Sequence, residues 1–365
     1  MPETKPNFRS IVQHFVPSWF ALVMGTAVAV PAFASFQKII PFASVFMLFF
    51  LTVAFIAFVM ILIPWLLRWV WFREAAVESL KHPVSAAFYP TMPISLIVGG
   101  IALEKASGLF LPEKFLNATL QTLLMAGAVG ILLLAILILS EFFHKPDLPW
   151  GSASLGWLIP PVSTLIVPLF SFSLAERFEG TVWHGMNVVG GLIFTGLGFF
   201  LFMFMMATIF VRYLFHQLPP AQLLPTFWIG LAPTSILAII SLKSVPALAG
   251  YFETPETVTQ VLTFFSKTFG IGLWGFAFFW LLLSIWFTLV YTRKSALDFA
   301  LSWWAFIFPL GAFTVATGVL YTSTQLNFFL WVGIAALAGF LLLWSVVFIR
   351  TLQGTWSGKL FIPHG

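Results

Sequence analysis

Charge is what this sequence has least of. Of its 365 residues only 8% are Asp, Glu, Lys or Arg, while 60% are hydrophobic and the mean hydropathy is +1.02. So few charges cannot solvate the surface of a soluble domain, which leaves a polytopic membrane protein. Cysteine is absent altogether, so disulfides, thiolate metal sites and cysteine nucleophiles are excluded. Also missing are HExxH, a usable GxSxG and paired aspartates within apolar segments. The six histidines (His14, His82, His144, His184, His216 and His364) lie scattered near segment ends. The chain therefore does not read as an enzyme, and no metal or cofactor is expected. Lys and Arg outnumber Asp and Glu by 17 to 12, yet they lie in loops and form no cluster suited to nucleic acid. The N-terminus MPETKPNFRS lacks a small-residue cleavage site after its first apolar run, so no removed signal peptide is expected.

Proline is plentiful, and its placement is the main signal. The segment 299–321, FALSWWAFIFPLGAFTVATGVLY, could cross a bilayer and carries Pro309 about halfway along, just after Phe308. Aligned on Pro309, three other apolar segments place Pro93, Pro161 and Pro233 at the same position, and a first copy has Met24 there. Positions 24, 93, 161, 233 and 309 are separated by 69, 68, 72 and 76 residues. That period suits two membrane helices with their loops, so the sequence reads as five repeats of one helical hairpin. Two residues after the anchor stand Thr26, Ser95, Ser163, Ser235 and Gly311; Phe88 shares the aromatic position with Trp228 and Trp304, five residues before it.

Hydropathy gives ten spans within a single transmembrane domain, 1–365, with short tails 1–14 and 351–365. The odd spans run about 15–35, 84–104, 152–174, 224–242 and 299–321. The even spans run about 42–70, 117–142, 184–214, 262–291 and 327–350. Of 23 prolines only Pro64 falls in an even span. Leu- and Phe-rich even spans suit an outer ring against lipid, and odd spans rich in Pro, Gly, Ser and Thr suit an inner one. Eleven of the 17 basic residues belong to the tails and even-numbered loops, which puts both termini in the cytoplasm. Trp65, Trp69, Trp71 and Trp150 fall where an interfacial belt is expected.

The odd spans read as free of Asp, Glu, Lys, Arg and His along the membrane core. Coupled carriers usually bury an ionisable group near the midplane to bind and release the coupling ion. Passive conduction is the better reading, with sodium coupling through backbone carbonyls left open. Proline kinks at Pro93, Pro161, Pro233 and Pro309, and Gly25 in the copy without proline, would expose backbone dipoles along a narrow neutral pore. Thr26, Ser95, Ser163, Ser235, Gly311 and Phe88 are the expected pore lining, with weak hydroxyl sites that suit fast exit of an anion. Lys105 and Lys243 would concentrate anions at one entrance. Phe308 is a single large ring where the matching places hold Val23, Met92, Pro160 and Ala232, so it is the candidate gate.

Four motifs carry a resemblance: VPSWFALVMGTAVAV (16–30), HPVSAAFYPTMPISL (82–96), LPTFWIGLAPTSILAI (224–239) and above all SWWAFIFPLGAFTVAT (302–317). The chain resembles, over nearly its whole length, the tellurite-resistance/dicarboxylate transporter family, which includes plant guard-cell slow anion channels and bacterial TehA proteins. The resemblance implies ten helices as five hairpins in quasi-fivefold order around a pore, and a homotrimer with one pore per protomer. It also implies a gating phenylalanine in the ninth helix, which matches Phe308. Its members conduct chloride and nitrate or carry malate and sulfite. The sequence reading is thus a passive anion channel of a cell inner membrane, with a proton-coupled dicarboxylate or sulfite transporter as the alternative. The long kinase-regulated tails of the plant members are absent.

Overall fold

The structure is a computed structural model that describes residues 7–107, 112–144, 153–216, 218, 220–294 and 297–361; Trp150 lies outside them. Among the described residues it contains helices and turns and no strand. We number ten helices in chain order. The odd ones are α1 (Pro17–Ser35), α3 (Thr91–Ala106), α5 (Ile159–Arg177), α7 (Leu231–Tyr251) and α9 (Trp304–Thr324). The even ones are α2 (Ala43–Trp71), α4 (Glu113–Phe143), α6 (Val182–Phe215), α8 (Glu256–Lys294) and α10 (Asn327–Ser357). Nine helical stretches among the described residues are long and apolar enough to span a membrane. The exception is α3, with only 16 residues. The last helix runs past position 350 to Ser357, so much of the expected C-terminal tail is helical.

Burial divides the helices as composition suggests. In the most apolar windows of α1, α5, α7 and α9, 72% to 94% of residues are buried, against 22% to 28% in the five even helices. Each odd helix packs on the next odd helix in the chain, and α9 closes on α1, so the five make a closed ring. Each even helix packs on its own odd partner and also on the next odd helix around the ring. The exposed faces of the even helices are dense with Phe, Leu, Val and Ile, which suits contact with acyl chains.

Three of the four anchor prolines sit at helix starts rather than mid-helix, and Pro309 alone lies inside its helix. Pro93, Pro161 and Pro233 are each the third residue of their α-helix, and Pro309 is the sixth. At a helix start the missing N–H has no intrahelical partner to lose, which covers Pro93, Pro161 and Pro233; Pro309 lies further in and forgoes the bond to the Ala305 carbonyl. The break itself lies just before, in 3₁₀ segments Leu155–Leu158, Ala221–Gly230 and Leu301–Trp303 and in the turn at 87–90. In the first repeat, where Met24 replaces proline, the helix is interrupted at Val28, between Phe20–Ala27 and Ala29–Ser35, with Pro31 third in the second piece. Gly25 lies three residues before that break, and its service is close packing: a Cβ there would sit 3.0 Å from the Trp304 ring.

Helix pairs are drawn close at a few such points. A Cβ on Gly198 of α6 would lie 2.7 Å from Leu165 Cγ and 2.9 Å from the Leu165 backbone nitrogen of α5. Backbone cannot rotate away, so Gly198→Ala is expected to cost about 1–3 kcal/mol through forced separation of the two helices. Gly196→Ala, with nothing within 4 Å of its added carbon, should not destabilise. Thermal unfolding of both variants in detergent checks this; equal melting of the two would show that the α5–α6 contact is looser than drawn.

Candidate functional site

The ring of odd helices is not filled to its axis. A funnel of about 410 Å³ opens at one end and is lined by all five: Val28 and Pro31 of α1, Val98 and Ile101 of α3, Ile166 and Leu169 of α5, Ile236 and Ile239 of α7, and Phe308, Ala312 and Val315 of α9. Below it lies a smaller void of about 40 Å³, walled by Ala21, Met24, Phe88, Thr91, Ile94, Ile159, Val162, Ile229, Ala232, Trp304, Ala305 and Pro309. Phe308 belongs to both walls. The residue is 3% exposed and shared by the two cavities, while the matching Ala232, in the wall of the smaller one, offers only a methyl group. The wall between rim and Phe308 consists of branched aliphatic side chains, alanine, glycine and proline, with Ser35, whose hydroxyl donates back to Pro31 O at 2.9 Å.

The expected hydroxyl lining faces elsewhere. Thr26, Ser163 and Ser235 are fully buried and, with Gly311, belong to neither axial cavity wall. Ser95 donates to Phe20 O at 3.1 Å and Thr91 O at 2.8 Å, and it borders a groove between α2 and α4 on the outer side of the ring. Ser235 donates to Leu231 O at 2.7 Å and Ser163 to Pro160 O. A hydroxyl two residues after proline thus returns to its own helix and satisfies carbonyls where the helix begins, as Ser and Thr do in apolar surroundings. Thr26 instead accepts the indole N–H of Trp344 on α10 at 3.1 Å. Gly311 provides room for Val28 and Phe340. Phe88 does line the smaller void.

Two sets of residues escaped the sequence reading. One is a series of indole-to-hydroxyl bonds that fasten the even helices to the odd: Trp344 to Thr26, Trp304 to Thr351 at 3.0 Å, Trp228 to Thr288 at 3.0 Å and Trp274 to Thr317 at 2.8 Å. The recurring Trp and Thr were visible, but their pairing joins positions up to 318 apart. The other is acidic. Lys105 and Lys243 both line the funnel, and Glu104 and Glu176 stand there with them, alongside Ser173, Gln37 and Thr322. Glu104 is the last residue of the second odd span, 84–104, at the edge of an interior that reads as neutral. Its Oε1 accepts from Ser173 Oγ at 2.6 Å and its Oε2 lies 3.4 Å from Lys105 Nζ, which also donates to Ser173 at 3.4 Å. The four charged rim groups sum to zero, so the entrance is mixed rather than basic.

Among the described residues no group of three or more His, Asp or Glu could hold a metal. The arrangement offers two cavities within the ring of odd helices, with an aliphatic wall between the charged rim and Phe308.

Comparison with known proteins gives a consistent picture. Residues 14–352 match the family described as voltage-dependent anion channel. An uncharacterized transporter of Methanocaldococcus jannaschii is 32% identical over 97% of this chain and 97% of its own length. A sulfite efflux pump of Arthroderma benhamiae is 22% identical over 96% of this chain and 93% of its own. A malic acid transport protein of Schizosaccharomyces pombe is 22% identical over 87% and 74%, respectively.

Proposed function

Since this chain belongs to the voltage-dependent anion channel family, whose members are anion transporters and channels, we propose that it is a passive, anion-selective channel gated by Phe308. The observation that carries the proposal is the position of that ring, shared by two cavities on the axis of a closed ring of five buried helices. A bulky apolar ring in an aliphatic throat excludes water, and an ion cannot pass without hydration or substitute ligands. Between rim and gate the wall offers no ionisable group to bind and release a coupling ion. We place the protein in a cell inner membrane with both termini cytoplasmic, ten helices in quasi-fivefold order, and three copies per assembly with one pore each. Small anions such as chloride or nitrate are the proposed permeants.

The second reading, a proton-coupled transporter of sulfite or a C4 dicarboxylate, is favoured by the Arthroderma and Schizosaccharomyces relatives and by the carboxylates at the rim. Reconstituted protein separates the two. A channel's reversal potential is expected to follow the anion gradient alone, by roughly 60 mV per tenfold gradient of a monovalent anion. A reversal potential that moves with an imposed pH gradient at fixed anion concentrations would establish the carrier instead.

A further inference from the structure

We propose that the carboxylates of Glu104 and Glu176 make the funnel rim a filter on anion valence, so that singly charged anions enter and doubly charged ones are held back. The inference rests on the channel reading and deepens it by naming the permeant class. Two terms decide entry. The first is the cost of moving charge from water into the aliphatic throat of Val28, Val98, Ile166 and Ile236; it grows with the square of the charge, so a dianion meets about four times the monoanion's penalty. The second is attraction from the rim, which grows only in proportion to charge. A rim carrying Lys105 and Lys243 alone would favour dianions and offset part of their penalty. Here each lysine has an acidic companion. Glu104 is fixed rather than trailing in solvent: its side chain is only 9% exposed, tied to Ser173 of the neighbouring helix and 3.4 Å from Lys105. Glu176 and Lys243 lie within electrostatic reach of that pair and of each other. The net attraction is therefore small, and the quadratic penalty dominates. A weak diacid would pass in its half-protonated form, and oxyanions would pass when they carry one charge.

The test uses the full chain in proteoliposomes with Phe308→Ala in every variant, so that the throat is open, and reads tracer fluxes of nitrate and sulfate. The parent should favour nitrate strongly. Glu104→Gln keeps the shape and the Ser173 contact but leaves the rim at +1; it should raise the sulfate-to-nitrate ratio about threefold or more at low ionic strength, with the shift shrinking as salt is added. Glu176→Gln, on an exposed side chain, should act in the same direction and decides the matter if Glu104→Gln folds poorly. Lys105→Gln should lower the ratio. Folded variants in which both acid substitutions leave the ratio unchanged, or scale the two fluxes alike, would overturn this inference and leave the channel intact. A parent that passes neither anion would overturn the channel reading, and this filter with it.

Discussion

Phe308→Ala is expected to raise anion flux about tenfold or more, equivalent to about 1.4 kcal/mol or more off the barrier. Among the described residues Phe308 alone belongs to both axial cavities, so truncation is expected to join a funnel of about 410 Å³ to a void of about 40 Å³. Water can then thread the axis, and an anion need not shed its whole shell in an aliphatic throat. The stability cost should fall below the roughly 3–5 kcal/mol of a Phe→Ala change in a close-packed core, because the ring already borders empty space on two sides. Flux assays on reconstituted wild type and variant check the first expectation and melting in detergent the second. Equal fluxes with intact folding would remove Phe308 as the gate. Phe306, two residues away and stacked edge-on against Trp228 at 5.3 Å, is the control: its truncation should destabilise the helix pair and leave the axis closed.

Much of this architecture was legible because membrane helices write their environment into composition. Prolines concentrated in alternate segments identified the inner ring, and the period near 70 identified the hairpin, since that length fits two spans and their loops. The direction each inner helix faces was not legible. Helices such as α7 are buried on every side, so axis-facing and outward-facing positions are alike apolar and no amphipathic stripe distinguishes them. Polarity then misleads. The hydroxyls of Ser95, Ser163 and Ser235 looked like a pore lining, yet a hydroxyl in an apolar interior bonds the nearest free carbonyl, which is on its own helix. The axis is left to Val98, Ile166 and Ile236, one to three residues away on the same helices. Position beside the anchor proline did single out Phe308, because that argument depended on ring size among smaller neighbours rather than on polarity. Glu104 was lost for another reason: its partner Ser173 lies 69 residues on, across a helix boundary that hydropathy fixes only to within several residues.

If the conduction path is the axis, closing it elsewhere should undo the effect of opening the gate. Ala312 lies four residues after Phe308, one helical turn toward the rim, on the same face of α9 and in the funnel wall. Ala312→Phe combined with Phe308→Ala should put a ring back into the throat where it is walled by α1, α3, α5 and α7, and flux is expected to return to the wild-type level or below. Alone, Ala312→Phe adds volume to a cavity rather than to packed core, so the overpacking cost that usually attends such a change should be small. The comparison distinguishes a pore from its alternatives in one measurement. Ions that leak between protomers, or through the outer grooves between α2 and α4 or α6 and α8, would not notice a ring placed on the axis. A double variant as conductive as Phe308→Ala, folded and monodisperse, would place the path outside the funnel. Restored closure would make the Phe308 level one of several places where the throat can be shut. The natural position would then be explained by what flanks it: Pro309 follows it directly in the first turns of α9, and the smaller void leaves the ring space to swing into.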